Sequence, residues 1–232
     1  MIIKLFPRSW IQIKLSAHIL YIDPSFMSSY YKKYPKIKVF SEIEDDSLPE
    51  DLEKADLILI SHVHKDHCKE VTINRLSNEN TIILTPRKYK KEIDGRIKII
   101  APSSKFDYEE ISVEIVDAYN TIVGNSTKKV HKKGECVGYI ITAENKRIYF
   151  LGDTDFIPEM KDINNIDIAF IPIGGTFTMD INEALDTVAY IKPHCVIPIH
   201  QLKVNPEEFK KRVEESHDII VKVLDIGEEF IV

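Results

Sequence analysis

Several residue types are scarce in this chain, and each scarcity excludes something. Glutamine occurs only at Gln12 and Gln201, tryptophan once, and cysteine three times, at Cys68, Cys136 and Cys195. An odd number of cysteines without paired spacing argues against a disulfide framework. No apolar run approaches the roughly 20 residues of a membrane span. The opening "MIIKLFPRSW" lacks the long apolar stretch and small-residue cleavage site of a signal peptide. A soluble, cytoplasmic protein with no membrane partner is therefore expected. Positive charge is also short: the net charge is −6 and the pI about 5.8. Lysine groups such as Lys128, Lys129, Lys132 and Lys133 are dispersed among acids, which argues against a nucleic-acid partner.

What is present is a core. With 232 residues and 44% hydrophobic content, the chain can bury one sizeable core or two small halves. Nothing in it reads as a linker, so residues 1–232 are expected to form a single domain. The first segments, Ile2 to Leu5, Ile11 to Leu15 and His18 to Ile22, alternate or run apolar like strands before Asp23-Pro24 breaks the pattern. Asp56 to Ile60, Thr81 to Pro86, Ile97 to Ile100 and Ile111 to Val116 read as further strands. Cys136 to Thr142 and Arg147 to Leu151 read as a hairpin. The last third alternates: strand Ile166 to Pro172, helix Ile181 to Ile191, strand Cys195 to Ile199, helix Pro206 to Glu215, strand Ile219 to Leu224. Hairpins early and β–α alternation late indicate an α/β sandwich of two sheets flanked by helices.

The stretch "SHVHKDH", Ser61 to His67, places three of the eight histidines directly after the apolar run Asp56 to Ile60. A lone loop histidine is normally solvated or hydrogen-bonded. The pattern His-x-His-x-Asp-His arises by chance on the order of once per thousand chains of this histidine content. Imidazole and carboxylate suit zinc, manganese or iron. In an extended segment His62 and His64 point to one side, and a turn brings in Asp66 and His67 from the start of the next helix. Two ligands can then grip one ion and two a neighbouring ion. Asp153 and His200 each lie just beyond an apolar strand, as His62 does, and ligands at strand ends can converge on one edge of the sheets.

These motifs resemble those of the metallo-β-lactamase-fold hydrolases. "SHVHKDH" looks like that family's signature, and "IYFLGDT" (Ile148 to Thr154) resembles its strand ending in Gly-Asp-Thr. "CVIPIH" (Cys195 to His200) resembles its later strand ending in a ligand histidine. "IAFIPIGGTFTMD" (Ile168 to Asp180) is similar to a subgroup related to sugar-lactone hydrolases. The resemblance implies a four-layer αββα sandwich, two mixed sheets with helices outside. It implies two divalent ions, zinc foremost with manganese or iron as alternatives, and assigns Asp153 as the bridge between them. His62, His64 and His131 would hold the first ion, and Asp66, His67 and His200 the second. One position departs from the family. Where a further histidine is common, this chain reads Asp117-Ala118-Tyr119-Asn120, and the next histidine is His131. A loop from Thr121 to Lys129 is expected to return His131 to the site, with Asn120 facing substrate or supporting a ligand. The remaining histidines, His18, His194 and His217, read as structural or exposed.

Two such ions roughly 3.5–4 Å apart lower the pKa of a bridging water toward about 7. The resulting hydroxide would attack a small ester, lactone or phosphodiester, with Asp66 orienting it, as the resemblance implies. Catalytic roles thus fall to Asp66 and Asp153, with no serine or cysteine nucleophile. Two other functions stand beside this one: an RNA-processing nuclease of the same fold, and a non-catalytic metal-dependent binding or sensory protein. The acidic pI opposes the first. Thr176 to Met179, after Gly174-Gly175, is a candidate for lining a substrate pocket, and the segment carrying Tyr30, Tyr31, Lys32, Lys33 and Tyr34 for a lid or anion-binding rim.

Overall fold

A computed structural model of the chain describes residues 1–26, 52–86 and 96–232. The chain divides into two compact units, residues 1–99 with 224–232, and residues 100–223.

The first unit is built on a seven-stranded mixed sheet. Its strands are β1 (Ile2–Leu5), β2 (Ile11–Lys14), β3 (Ile19–Ile22), β4 (Leu57–Leu59), β5 (Ile82–Pro86), β6 (Arg96–Ile100) and, from the end of the chain, β14 (Glu229–Ile231). Their order is β14-β1-β2-β3-β4-β5-β6. The hairpin strands β1 to β3 pair antiparallel, while β3, β4 and β5 run parallel. The parallel strands read as continuous apolar runs because they are buried throughout. A short helix, α1 (Glu70–Leu76), lays Ile73 and Leu76 into a cluster with Trp10, Tyr21, Ile58 and Ile83. Trp10 stacks on Phe6 with ring centroids 4.2 Å apart.

The second unit holds another seven-stranded mixed sheet, ordered β13-β12-β11-β10-β9-β8-β7. Its strands are β7 (Lys105–Tyr108), β8 (Ile111–Ala118), β9 (Cys136–Ala143), β10 (Lys146–Phe150), β11 (Ile168–Pro172), β12 (Cys195–Ile199) and β13 (Ile220–Val221). Strands β7 to β10 form an antiparallel meander, and β10 to β13 are parallel. The switch follows the connections: β9 and β10 are joined by a tight turn with Glu144 and Asn145 at positive φ, whereas β11 to β12 crosses through a helix. That helix, α2 (Ile181–Ile191), is capped by Asp180, whose side chain accepts from the Glu183 amide, and ends at Lys192 in the left-handed conformation. Helix α3 (Pro206–Ser216) starts with Asn205 as cap and Pro206 in its first turn. It buries Phe209 and Val213, each contributing about 1.5–3 kcal/mol, into the core formed by β10 to β12 and α2.

The expected elements are present with four differences, one of them an unforeseen 3₁₀ turn at Pro158–Asp162. β7 and β14 have no counterpart in the sequence reading, and the closing strand Ile219 to Leu224 shortens to Ile220–Val221. Among the described residues no helix is long and apolar enough to cross a membrane.

Candidate metal centre

In the first unit, strand β4 delivers the histidine cluster. Ser61 to His64 leave the end of β4, and residues 64–67 form a turn closed by the His67 and Cys68 amides, both donating to the His64 carbonyl at 2.9 Å. Asp66 and His67 therefore sit on this turn and not at a helix start; α1 begins only at Glu70. The tight turn uses the amides that a helical first turn would have left unsatisfied. His62 Nε2 lies 3.1 Å from His64 Nδ1, so the alternating pair meets at its ring nitrogens.

The organiser of this half is Asp23, a residue that the sequence reading passed over as a strand terminator. It is fully buried at the end of β3, with φ at 48°. Its Oδ1 accepts from the Ser61 amide at 2.7 Å, and its Oδ2 accepts from the Ser61 hydroxyl at 2.5 Å and from His67 Nδ1 at 2.7 Å. With its one proton given to Asp23, the Ser61 hydroxyl accepts from His62 Nδ1 at 2.9 Å. Both imidazoles thus carry their proton on Nδ1, which leaves each Nε2 as a lone-pair donor. Burial pushes the Asp23 carboxyl above its ordinary range, opposed by His67 and by the Ser61 hydrogen bonds. Ligand-capable atoms of Asp23, His62 and His67 all lie within 4.8 Å of one another.

In the second unit, His131, Asp153 and His200 come together, all buried. Asp153 Oδ2 is 3.5 Å from His131 Nε2 and 3.4 Å from His200 Nε2. Two donors each about 2.1 Å from one ion at the tetrahedral angle stand about 3.4 Å apart, so this spacing suits a shared cation. His131 Nδ1 donates to the Phe177 carbonyl at 3.1 Å, which turns the unprotonated Nε2 toward the Asp153 carboxylate. Two electron-rich atoms facing each other call for a cation between them. By donor chemistry and spacing, each Asp153–histidine pair fits a divalent metal.

Backbone geometry aims these groups. Gly152 precedes Asp153 at φ +73°, and a Cβ on it would stand 2.7 Å from the Val137 carbonyl. His200 itself adopts φ 48°, a conformation rare for a non-glycine residue. Its carbonyl passes 2.4 Å from where a Cβ on Gly174 would be. Gly152→Ala is expected to lower stability by about 1–3 kcal/mol and to displace Asp153. Denaturant unfolding, with metal content measured on the same sample, checks both effects.

His131 reaches the site because the loop before it is strapped down. Asn120 and His131 pair through their backbones, the Asn120 amide donating to the His131 carbonyl at 2.8 Å. The Asn120 side-chain oxygen accepts from the Val130 and His131 amides, and its nitrogen donates to the Phe177 carbonyl. Buried Asp155, two residues beyond Asp153, accepts from the Thr121 amide, the Asn120 side chain and Lys129 Nζ. Glu183 of α2 accepts from the Asn125 and Phe156 amides. Burial raises the Glu183 carboxyl. Asn120 thus clamps the chain that carries His131. The Thr176–Met179 segment contributes the Phe177 carbonyl to this arrangement. The Tyr30 to Tyr34 segment lies outside the described residues. His194 is exposed, His18 is buried near Asp56, and His217 caps α3.

Residues 7–200 match the family described as the beta-lactamase superfamily domain, and the chain belongs to that superfamily. Its two mixed sheets with few helices are those of the metallo-β-lactamase α/β fold. A "UPF0173 metal-dependent hydrolase" of Bacillus thuringiensis strain Al Hakam is 28% identical over 234 residues, covering 95% of each chain. The crystal structure of a Parabacteroides distasonis protein classed as a metal-dependent hydrolase is 28% identical. It superimposes with a TM-score of 0.80 over 97% of this chain and 92% of its own. Igni18, a metallo hydrolase of the hyperthermophilic archaeon Ignicoccus hospitalis, shares the fold at 23% identity, with a TM-score of 0.73 over 100% of this chain and 98% of its own.

Proposed function

We propose that this chain is a metal-dependent hydrolase of the superfamily, acting on a small ester, lactone or phosphodiester with two divalent ions, zinc foremost. The observation that carries the reading is the Asp153 carboxylate set between the Nε2 atoms of His131 and His200. His62, His64 and His131 are the ligands assigned to one ion, Asp66, His67 and His200 to the other, and Asp153 to both. When bound, such ions activate water near neutral pH and polarise the substrate oxygen. The chain's own part is to fix the donors. Asp23 and Ser61 hold His62 and His67 in the Nδ1–H tautomer, and the Phe177 carbonyl does the same for His131. Asp66 is assigned to orient the attacking water. Cytoplasmic location and a small-molecule substrate belong to the same reading.

A panel of phosphodiesters, lactones and thioesters, assayed with and without chelator, tests it. Turnover of at least one class should fall to background with chelator and return with added zinc or manganese. Chelator-insensitive turnover would contradict it, and salt-sensitive RNA cleavage would favour the nuclease reading.

A further inference from the structure

A cavity of about 820 Å³ lies within the second unit, and none of the assigned metal ligands lines it. Its floor is one face of the meander. Tyr149 on β10 stands opposite Ile140 on β9, and Ile140 opposite Glu114 on β8, so the three side chains share a face. A 3₁₀ turn (Pro158–Asp162) forms a wall with Ile157, Glu159 and Met160. The base is apolar: Ile140, Ile157 and Met160 belong to the unit's buried core.

Two observations point to an occupant. The first is Tyr149. It is fully buried, it lines the cavity, and its hydroxyl has no hydrogen-bond partner among the described residues. A buried hydroxyl is normally satisfied, and one left open at a cavity floor marks a position that a ligand can fill. Burial raises the Tyr149 phenol, and the Asp117 and Glu159 carboxylates raise it further.

The second is the charge balance of the walls. Of the two lining cations, Arg147 is paired with Glu114 at 3.0 Å and Lys105 with Asp107 at 3.1 Å. Glu159 is engaged by Lys133 and by the Tyr119 hydroxyl. Asp117 and Asp162 have no ion-pair or side-chain hydrogen-bond partner among the described residues, though Lys133 acts on Asp117 from a distance. An anion would meet uncompensated carboxylates here. A cation with an apolar stem would meet complementary groups at both ends.

We propose that this cavity binds a small organic amine, its ammonium recognised by Asp117 and the Tyr149 hydroxyl and its apolar body lying on Ile140, Ile157 and Met160. The site is separate from the proposed hydrolytic centre and stands or falls without it.

The test is calorimetric titration of the full chain with phenethylamine, alongside 2-phenylethanol and phenylacetate as neutral and anionic probes of similar shape. Phenethylamine should bind with a Kd of about 1 mM or tighter, and the other two at least about tenfold more weakly. Asp117→Asn and Tyr149→Phe should each weaken the amine at least about fivefold. Tyr149→Phe removes an uncompensated hydroxyl, so its melting temperature should not fall, which keeps the test valid if Asp117→Asn folds poorly. No amine binding at about 10 mM, equal binding of the three probes, or unchanged amine affinity in Tyr149→Phe would overturn the proposal.

Discussion

Asp153→Asn lowers chelator-sensitive hydrolysis by on the order of 100-fold or more while the chain stays folded. The substitution keeps the shape of the side chain and removes its charge. Asp153 Oδ2 stands 3.5 Å and 3.4 Å from two buried imidazole nitrogens, one on the loop after β8 and one at the end of β12. An amide offers those positions only a weak neutral oxygen, or an NH₂ that would displace a cation. Metal content should fall in parallel with rate, because the proposed bridging ligand would serve both ions. A purely structural role predicts something different. If Asp153 only paired with protonated His131 and His200, the asparagine variant would lose stability and keep its metal content and turnover. Circular dichroism, metal analysis and kcat on one preparation separate the two.

Replacing Asp23 has the second largest expected effect, and it acts through other residues. Asp23→Ala leaves the buried Ser61 amide and hydroxyl and His67 Nδ1 without their acceptor. The expected loss is about 3–5 kcal/mol of stability, with metal affinity falling about 10–100-fold. Asp23→Asn divides these effects. Its oxygen can still accept from the Ser61 amide, but its NH₂ opposes the Ser61 hydroxyl proton and the proton on His67 Nδ1. His67 must then move its proton to Nε2, the atom assigned to metal. The asparagine variant should therefore recover much of the stability and little of the metal affinity. Denaturant melts of the metal-free protein and competition with a chromophoric chelator measure the two quantities independently. Recovery of both together would show that the second carboxylate oxygen does not set the His67 tautomer.

Residues marked by a local pattern are the readable part of this candidate site. His62, His64 and His67 announce themselves by spacing, and Asp153 and His200 by their place after apolar strands. Asp23 carries the same strand-end placement after β3, but its partners Ser61 and His67 lie 38 and 44 positions away. A carboxylate before proline reads locally as a turn residue, so only the parallel pairing of β3 with β4 reveals its purpose. Asp155 is obscured for the same reason: with Asn120, which the sequence does offer as a support for a ligand, it holds a loop whose path the local pattern does not specify. The edge strands escaped notice for a different reason. β7 and β14 are half exposed, so their sequences lack the apolar period that marks the central strands. β13 shortens because only Ile220 and Val221 find register partners on β12. Residues 65–69 contain nothing that forbids a helix, so the turn carrying Asp66 reads locally as a helix start; the His64 carbonyl, taking two amides, ends the ambiguity.

The central claim is that this chain holds two divalent ions through Asp153 and the histidines of both motifs. The most direct measurement is metal analysis by mass spectrometry of protein purified without added metal, then reconstituted with zinc and desalted. The account predicts close to two ions per chain in the native protein and a clear loss in Asp153→Asn. One ion or fewer in the reconstituted native protein, or an unchanged count in the variant, would contradict it.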